Sequence, residues 1–279
     1  MRADLHVHSV FSDGHYTPEE IAKRAKKAGV ELLSITDHDT LNGGAEKRAA
    51  AKKYGVNYLS GWEISAYEGE QKLHVLGYGC SETNSAYLAF TQKRVQASYE
   101  RVYDSVQKMR GAGIDISAEQ VFDQREDSSS PVHSMHIARV IGKVVGISET
   151  EAYVKYLAPK RIAHSGVGRP TPQEAIECIE KSGGFAVLAH PGRIWMDFEE
   201  REKTILRLVE MGLKGIEATY TTHTKQETEY FLSLAKKCGL LCTGGSDVHF
   251  EEETHKIGFP VFETSEELLK ELMAKNRLT

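Results

Sequence analysis

The sequence predicts an α/β fold in which one barrel-like domain is interrupted by a small helical one. Three observations carry this. Short apolar runs alternate with helical patterns over the first third of the chain, the mark of parallel βαβ units. Strand signals nearly vanish between residues 82 and 165. The alternation then resumes after Pro170. The expected division is therefore a discontinuous α/β domain, residues 1–81 and 166–279, around a helical insertion, residues 82–165.

The elements follow in order. Residues 3–7 read as a strand. Thr17-Pro18-Glu19-Glu20 opens a helix: Thr caps, Pro fits the first turn, and the acids favour the positive end. That helix ends near Gly29. Residues 31–35 form a second strand and 44–54 a second helix; 56–65 and 72–78 are further strands. A long helix covers 86–110, with Val95, Val102, Val106 and Met109 on one face. Helical segments follow at 118–124, 135–145 and 149–158, with the polar run 125–130 as a mobile loop. Thr171-Pro172-Gln173-Glu174 opens the next helix. Strands at 185–189, 215–218 and 240–243 then alternate with helices at 200–211 and 225–238. A last helix, 265–275, is capped by Ser265.

Composition narrows the function. The 279 residues are 40% hydrophobic and 27% charged, a globular balance, with a net charge of -5 that gives no reason to expect duplex nucleic acid as a partner. No apolar run reaches the roughly 20 residues of a membrane span. No signal-peptide core is present, so a cytoplasmic location is expected. The four cysteines, Cys80, Cys178, Cys238 and Cys242, form no C-x-x-C pair and are read as small buried hydrophobes.

The twelve histidines are unusual, because several sit beside carboxylates at strand ends. His6-Val7-His8 closes the first strand, and residues two apart on a strand share a face. Asp13 follows. Thr36-Asp37-His38-Asp39 ends the second strand. Glu63 lies in Gly61-Trp62-Glu63, His74 on the strand 72–78, His190 in Ala189-His190-Pro191-Gly192, and Asp247-x-His249 after Gly244-Gly245-Ser246. Strand C-terminal ends of a parallel barrel share one face, so these ligands are expected to converge. Histidine with carboxylate and no thiolate suits Mn, Fe or Zn. Six histidines and three carboxylates exceed the needs of one ion and serve two or three.

In combination, H-x-H, T-D-H-D, G-x-E, A-H-P-G and G-S-D-x-H resemble the PHP (polymerase and histidinol phosphatase) family. The resemblance covers both α/β segments. It implies a distorted (β/α)7 barrel with a metal cluster. It also implies one ion on His6, His8, Glu63 and Asp247, a second on Glu63, His74 and His190, and a third on Asp13, His38 and His249. The helical insertion and the run GIEATYTTHTKQ are similar to a subgroup of 3',5'-nucleotide bisphosphate phosphatases and 5'-to-3' exoribonucleases acting on short RNA. One motif differs: where the subgroup has R-P-H-x-A-R, this chain has Ser134-Met135-His136-Ile137-Ala138-Arg139.

The implied chemistry is hydrolysis of a phosphate monoester or terminal phosphodiester of a small nucleotide or short oligonucleotide. A metal-bridging hydroxide would attack phosphorus. His223 is the candidate to protonate the leaving oxygen or hold the phosphate, and Asp37 to orient an imidazole. Arg101, Ser134, His136, Arg139 and Arg193 are the expected substrate contacts; Arg94 shares a helix face with Arg101. His15, His133, His164 and His255 receive no role. Histidinol-phosphate hydrolysis and a non-catalytic module that supports a partner are the competing readings.

Overall fold

The amino-terminal strand sets the frame. β1 (Arg2–Val7) is buried from Ala3 onward, and lies in a four-stranded sheet between β2 (Leu32–Ile35) and β9 (Phe262–Glu263), with β3 (Asn57–Tyr58) outside β2. β1, β2 and β3 run parallel, and β9 is antiparallel to β1. The structure, a computed structural model, describes residues 1–125, 127–194, 196–252 and 255–274. Glu126 of the expected mobile loop and Lys275 of the expected last helix lie outside these residues.

The crossover from β1 to β2 is α1 (Pro18–Lys27). Thr17 and Glu20 close a reciprocal capping box, and Ile21, Ala22 and Ala25 face the core. α2 (Gly44–Tyr54) follows β2 and ends on Gly55 in the left-handed conformation. The second sheet holds β4 (Gly61–Glu68), β5 (Gln71–Tyr78), β6 (Phe185–Leu188), β7 (Gly215–Tyr220) and β8 (Leu241–Gly245), in that order.

The expectation of parallel strands throughout fails here. β4 and β5 form an antiparallel hairpin, and β5 is antiparallel to β6; only β6–β7 and β7–β8 are parallel. The cause is local. Glu68 pairs with Gln71 across Gly69 at φ 60°, and so short a connection can join only antiparallel strands. The strands thus lie in two sheets. Single parallel bridges link them at Val7–Val248 and His38–Glu63.

Between β5 and α7 (Pro172–Lys181) the chain is helical: α3 (Ser85–Gly111), α4 (Ala118–Phe122), α5 (Ser134–Val145) and α6 (Glu149–Ala152). Residues 153–157, expected to continue an α-helix, form a π-helical turn. Val102, Val106 and Met109 of α3 pack with Ile137 and Ile141 of α5 in an apolar cluster of their own. Val95, read on the same face, is only half-buried. α8 (Phe198–Glu210), α9 (Lys225–Cys238) and α10 (Glu266–Ala274) complete the chain. Among the described residues no helix is long and apolar enough to cross a membrane. Cys80 and Cys178 are buried; Cys238 and Cys242 are half-buried, less than expected, and all four are free.

Candidate metal centre

The nine expected ligands converge. Glu63 stands at the centre: its Oε1 lies 2.7 Å from His74 Nδ1, 3.1 Å from His190 Nε2 and 3.3 Å from His6 Nε2. Its Oε2 lies 3.0 Å from His38 Nδ1 and 3.3 Å from His8 Nε2. Asp247 Oδ1 is 3.1 Å from His8 Nε2 and 3.4 Å from His6 Nε2. Asp13 Oδ1 is 3.3 Å from His249 Nε2. Three sets have ligand atoms within 4.8 Å of one another: His6, His8, Glu63 and Asp247; His8, Asp13, His38 and His249; and His38, Glu63 and His74. His190, outside these sets, places Nε2 3.1 Å from His74 Nδ1 and 3.1 Å from Glu63 Oε1.

Not every ligand stands at a strand end. Glu63 is third in β4 and His74 fourth in β5, and the hairpin register sets Ser65 opposite His74. The ends of β2, β6 and β8 give His38, His190 and Asp247 as expected. There the backbone is forced: Asp39, His190 and Asp247 have φ of 54°, 26° and 53°, conformations that non-glycine residues hold only when their surroundings fix them. Gly245 allows the approach of β8 to β1, since a Cβ there would fall 2.3 Å from that of His6.

Buried polar groups hold these turns. Asp37 accepts from Ser9 N and Ser12 Oγ, both at 2.7 Å, and its other oxygen takes Ser9 Oγ at 2.7 Å and pairs with Lys47 Nζ at 2.5 Å. It therefore pins the loop that carries Asp13. The orientation of an imidazole, expected of it, is replaced by this task because hydroxyls, an amide and an ammonium occupy its carboxylate. Asp4 accepts from Ser246 N at 2.9 Å and Gly258 N at 2.8 Å, fixing the turn before Asp247. Glu217, which the sequence reading missed, accepts from His190 N at 2.7 Å and bonds His6 Nδ1 at 3.0 Å. The available signal was a lone carboxylate inside the buried strand β7.

Charge balance favours cations. Burial alone would raise the carboxyl of Glu63, but His74, His6 and His38 hold it well below its ordinary value. Burial likewise disfavours charge on Asp13 and Asp247, yet His249 and His38 around the first and His6 around the second hold both well below the usual range. Burial lowers His6, but Glu217, Glu63 and Asp247 carry it well above an ordinary histidine. Buried carboxylates concentrated in this way demand positive charge. His6 Nε2, His8 Nδ1 and Nε2, Asp13 Oδ1, Glu63 Oε2 and Asp247 Oδ1 are buried without a hydrogen bond. In a protein interior such groups are normally paired; facing one another, they fit divalent metal ions of the Mn, Fe or Zn type.

The cluster opens into a cavity of about 310 Å³, whose wall includes Lys72, His133, Ser134, Arg169 and Arg193. Arg193 donates to Tyr220 Oη at 2.9 Å and to Asp247 Oδ2 at 3.3 Å, so this expected substrate contact stands beside the cluster. Ser134 lies in the wall and accepts from Arg169 Nη2 at 3.2 Å. Arg101 is buried behind it, donating to Val167 O at 3.2 Å. Burial and the neighbouring Arg169 push its guanidinium down to about 9. Arg94 bonds Gly168 O.

Three expected roles need correction. His223 has both nitrogens engaged by backbone, Nδ1 on Ala218 O at 3.0 Å and Nε2 on Gly192 N at 3.1 Å. It braces the turn after His190 and has no nitrogen left for a leaving group. His136 is similarly closed, with Nδ1 accepting from His133 N at 3.0 Å and Nε2 on Ser12 O at 2.9 Å. Arg139 bonds Glu149 at 2.7 Å and Asp13 O. His136 and Arg139 thus tie α5 to the loop of Asp13 rather than reaching the cavity. His133, given no role, is buried in its wall.

A buried histidine–carboxylate cluster opening into a cavity lined by both basic and acidic side chains has the form of a metal centre. The chain belongs to the PHP domain family, whose model matches residues 4–219. It is 32% identical over 250 residues to a 3',5'-nucleoside bisphosphate phosphatase of Chromobacterium violaceum, covering 88% of this chain and 86% of that one. It is 30% identical over 267 residues to a phosphoribosyl 1,2-cyclic phosphate 1,2-diphosphodiesterase of Eggerthella lenta, covering 94% and 99%. A 5'-3' exoribonuclease of Haemophilus influenzae is 30% identical over 247 residues, covering 88% and 89%. Among solved structures, an amidohydrolase from Chromobacterium violaceum with bound sulfate superposes with a TM-score of 0.88 at 29% identity, covering 100% of this chain and 98% of that one.

Proposed function

We propose that this chain hydrolyses phosphate esters of small nucleotides, and that its preferred substrate carries a second phosphate. It is a hydrolase of the metal-dependent phosphoesterase type. One observation carries the finer reading: Lys72 and Arg169 in the cavity wall, with Arg101 behind them, have no carboxylate within ion-pair distance among the described residues. Buried or half-buried cations left unpaired beside a phosphoester site call for an anion of the substrate. The relatives support this reading, since one is named for a nucleoside bisphosphate and another for a ribonuclease.

In this reading the expected sets, His6, His8, Glu63 and Asp247; Glu63, His74 and His190; Asp13, His38 and His249, would hold two or three ions, Mn first and Fe or Zn as alternatives. Such ions supply Lewis acidity and activate water. The chain's own residues do the rest. Glu217 fixes His6 and the turn of His190, Asp37 fixes the loop of Asp13, and Arg193 presents a guanidinium to the scissile phosphate. Arg101 and Arg169 take the remote phosphate, with Ser134 beside them. A guanidinium has five N–H donors, so the bond from Arg101 to Val167 leaves donors for substrate. A cavity of about 310 Å³ fits a mononucleotide or the end of a short RNA rather than a duplex. We also assign the chain a distorted (β/α)7 barrel, residues 1–81 and 166–279, supported by the bridges at Val7 and His38. The insertion, 82–165, selects substrate. Free thiols favour a cytoplasmic location.

The test is phosphate release by Mn-reconstituted protein across 3',5'-bisphosphonucleotides, a ribose cyclic phosphate, nucleoside monophosphates, histidinol phosphate and short 5'-phosphorylated RNA. The expected result is a kcat/KM for bisphosphonucleotides about ten-fold or more above that for monophosphates. Preference for histidinol phosphate, or no release from any ester, would overturn the reading.

A further inference from the structure

His133 occupies the join between the metal cluster and the insertion. It is the residue just before α5, with extended backbone at φ −98° and ψ 160°. Only 5% of it is exposed, yet it lines the cavity. Its ring centroid lies 5.4 Å from that of His38 and 5.6 Å from that of His136. Its Nε2 is buried without a hydrogen bond. His133 is absent from each set of side chains close enough to share an ion. Asp13, His38, His136 and Arg101 are charged or titratable groups that act on it.

The backbone beside it has the same character. The first two amides of α5, Ser134 N and Met135 N, are donated to no protein acceptor among the described residues, and both residues line the cavity. The amino end of a twelve-residue helix attracts anions through its free N–H groups and dipole. A buried imidazole nitrogen and two helix amides thus face one space. An unsatisfied buried donor is costly unless a ligand completes it.

We propose that His133 and the amino end of α5 bind the scissile phosphoryl group directly, on the side of the cavity formed by Asp13, His38 and His249. This rests on the phosphoester reading above and adds a substrate contact to it. The imidazole acts as a hydrogen-bonding partner of a phosphoryl oxygen, held in place by α5. Because α5 is tied to the Asp13 loop through His136 and Arg139, the contact is fixed relative to the cluster.

The experiment pairs calorimetric binding of inorganic phosphate to Mn-loaded protein with steady-state kinetics, for wild type, His133→Ala and His133→Asn. Both variants should keep the wild-type ion content and Tm. His133→Ala should weaken phosphate binding about ten-fold or more. It should lower kcat/KM by a similar factor on an aryl phosphate and on a bisphosphonucleotide alike, since the scissile group is common to both. His133→Asn, which keeps a hydrogen-bonding side chain, should recover part of the loss. Unchanged phosphate affinity in His133→Ala would overturn the proposal. So would a loss of bound ions, which would make His133 a metal ligand, or a loss confined to the bisphosphonucleotide, which would place it at the remote phosphate. A wild type that binds phosphate through His133 but hydrolyses no ester would refute the phosphoester reading and leave this contact standing.

Discussion

Glu63 and Glu217 show how two buried carboxylates at one site divide the work. Glu63 presents both oxygens to five imidazoles, whereas Glu217 spends its oxygens on His6 Nδ1 and the backbone of His190. A partner that fixes a ligating imidazole typically contributes ten- to hundred-fold in metal affinity. Glu217→Gln should therefore leave the fold intact and weaken ion binding by about that factor in competition with a chelator. An unchanged affinity would mean that His6 is held by packing alone. At this scale the sequence was most informative about ligands, because H-x-H, T-D-H-D and D-x-H put several competent groups within a few residues. It was least informative about residues acting through one another. His223 and His136 looked available, and only the fold brings Gly192, Ala218, His133 and Ser12 against their nitrogens.

The turns that carry the ligands are held by elements far from them in sequence. Lys47 lies on α2, buried among small residues, and reaches Asp37 under the Asp13 loop. Burial would raise the carboxyl of Asp37, but Lys47 and Ser9 more than offset it and keep it below its ordinary value of 3.8. A carboxyl lowered on folding adds stability above its unfolded value, and that stability is lost as pH falls through the folded value. Asp37→Asn leaves the Lys47 ammonium buried and unpaired, so denaturant melts at pH 7 should show a loss of about 3–5 kcal/mol. The difference from wild type should narrow below pH 3.8. Equal stability at pH 7 would show that the pair does not hold the loop. The helices were legible here because Thr17-Pro18-Glu19-Glu20 and Thr171-Pro172-Gln173-Glu174 are local signals of a helix start; the structure adds that each Thr closes a capping box with the Glu three residues on. The direction of β4 and β5 was not, since a hairpin and a crossover leave similar apolar runs and only the length of the connection separates them.

At the scale of the whole molecule, the helices of residues 85–152 meet the sheets where the ligands are. α3 carries Arg101 into a small pocket beside the cavity, lined also by Ser134 of α5 and by Arg169. If this face reads a remote phosphate, Arg101→Ala should lower kcat/KM on a bisphosphonucleotide about ten- to hundred-fold, the scale of a charge-assisted hydrogen bond. It should change hydrolysis of an aryl phosphate little. An equal loss on both would point to damage in the fold. The helical character of this region was plain from its missing strand signals. Its contacts with the Asp13 loop were not, because His136 and Arg139 meet residues more than a hundred positions away.

Nine side chains spread from His6 to His249 are expected to form one multinuclear metal centre. Elemental analysis of the purified, Mn-reconstituted chain tests it most directly, with Glu63→Ala beside the wild type. Two or three ions per wild-type chain are expected, with a loss from more than one position in Glu63→Ala because that carboxylate faces two sets. Fewer than one ion per wild-type chain, or a full complement in Glu63→Ala, would contradict it.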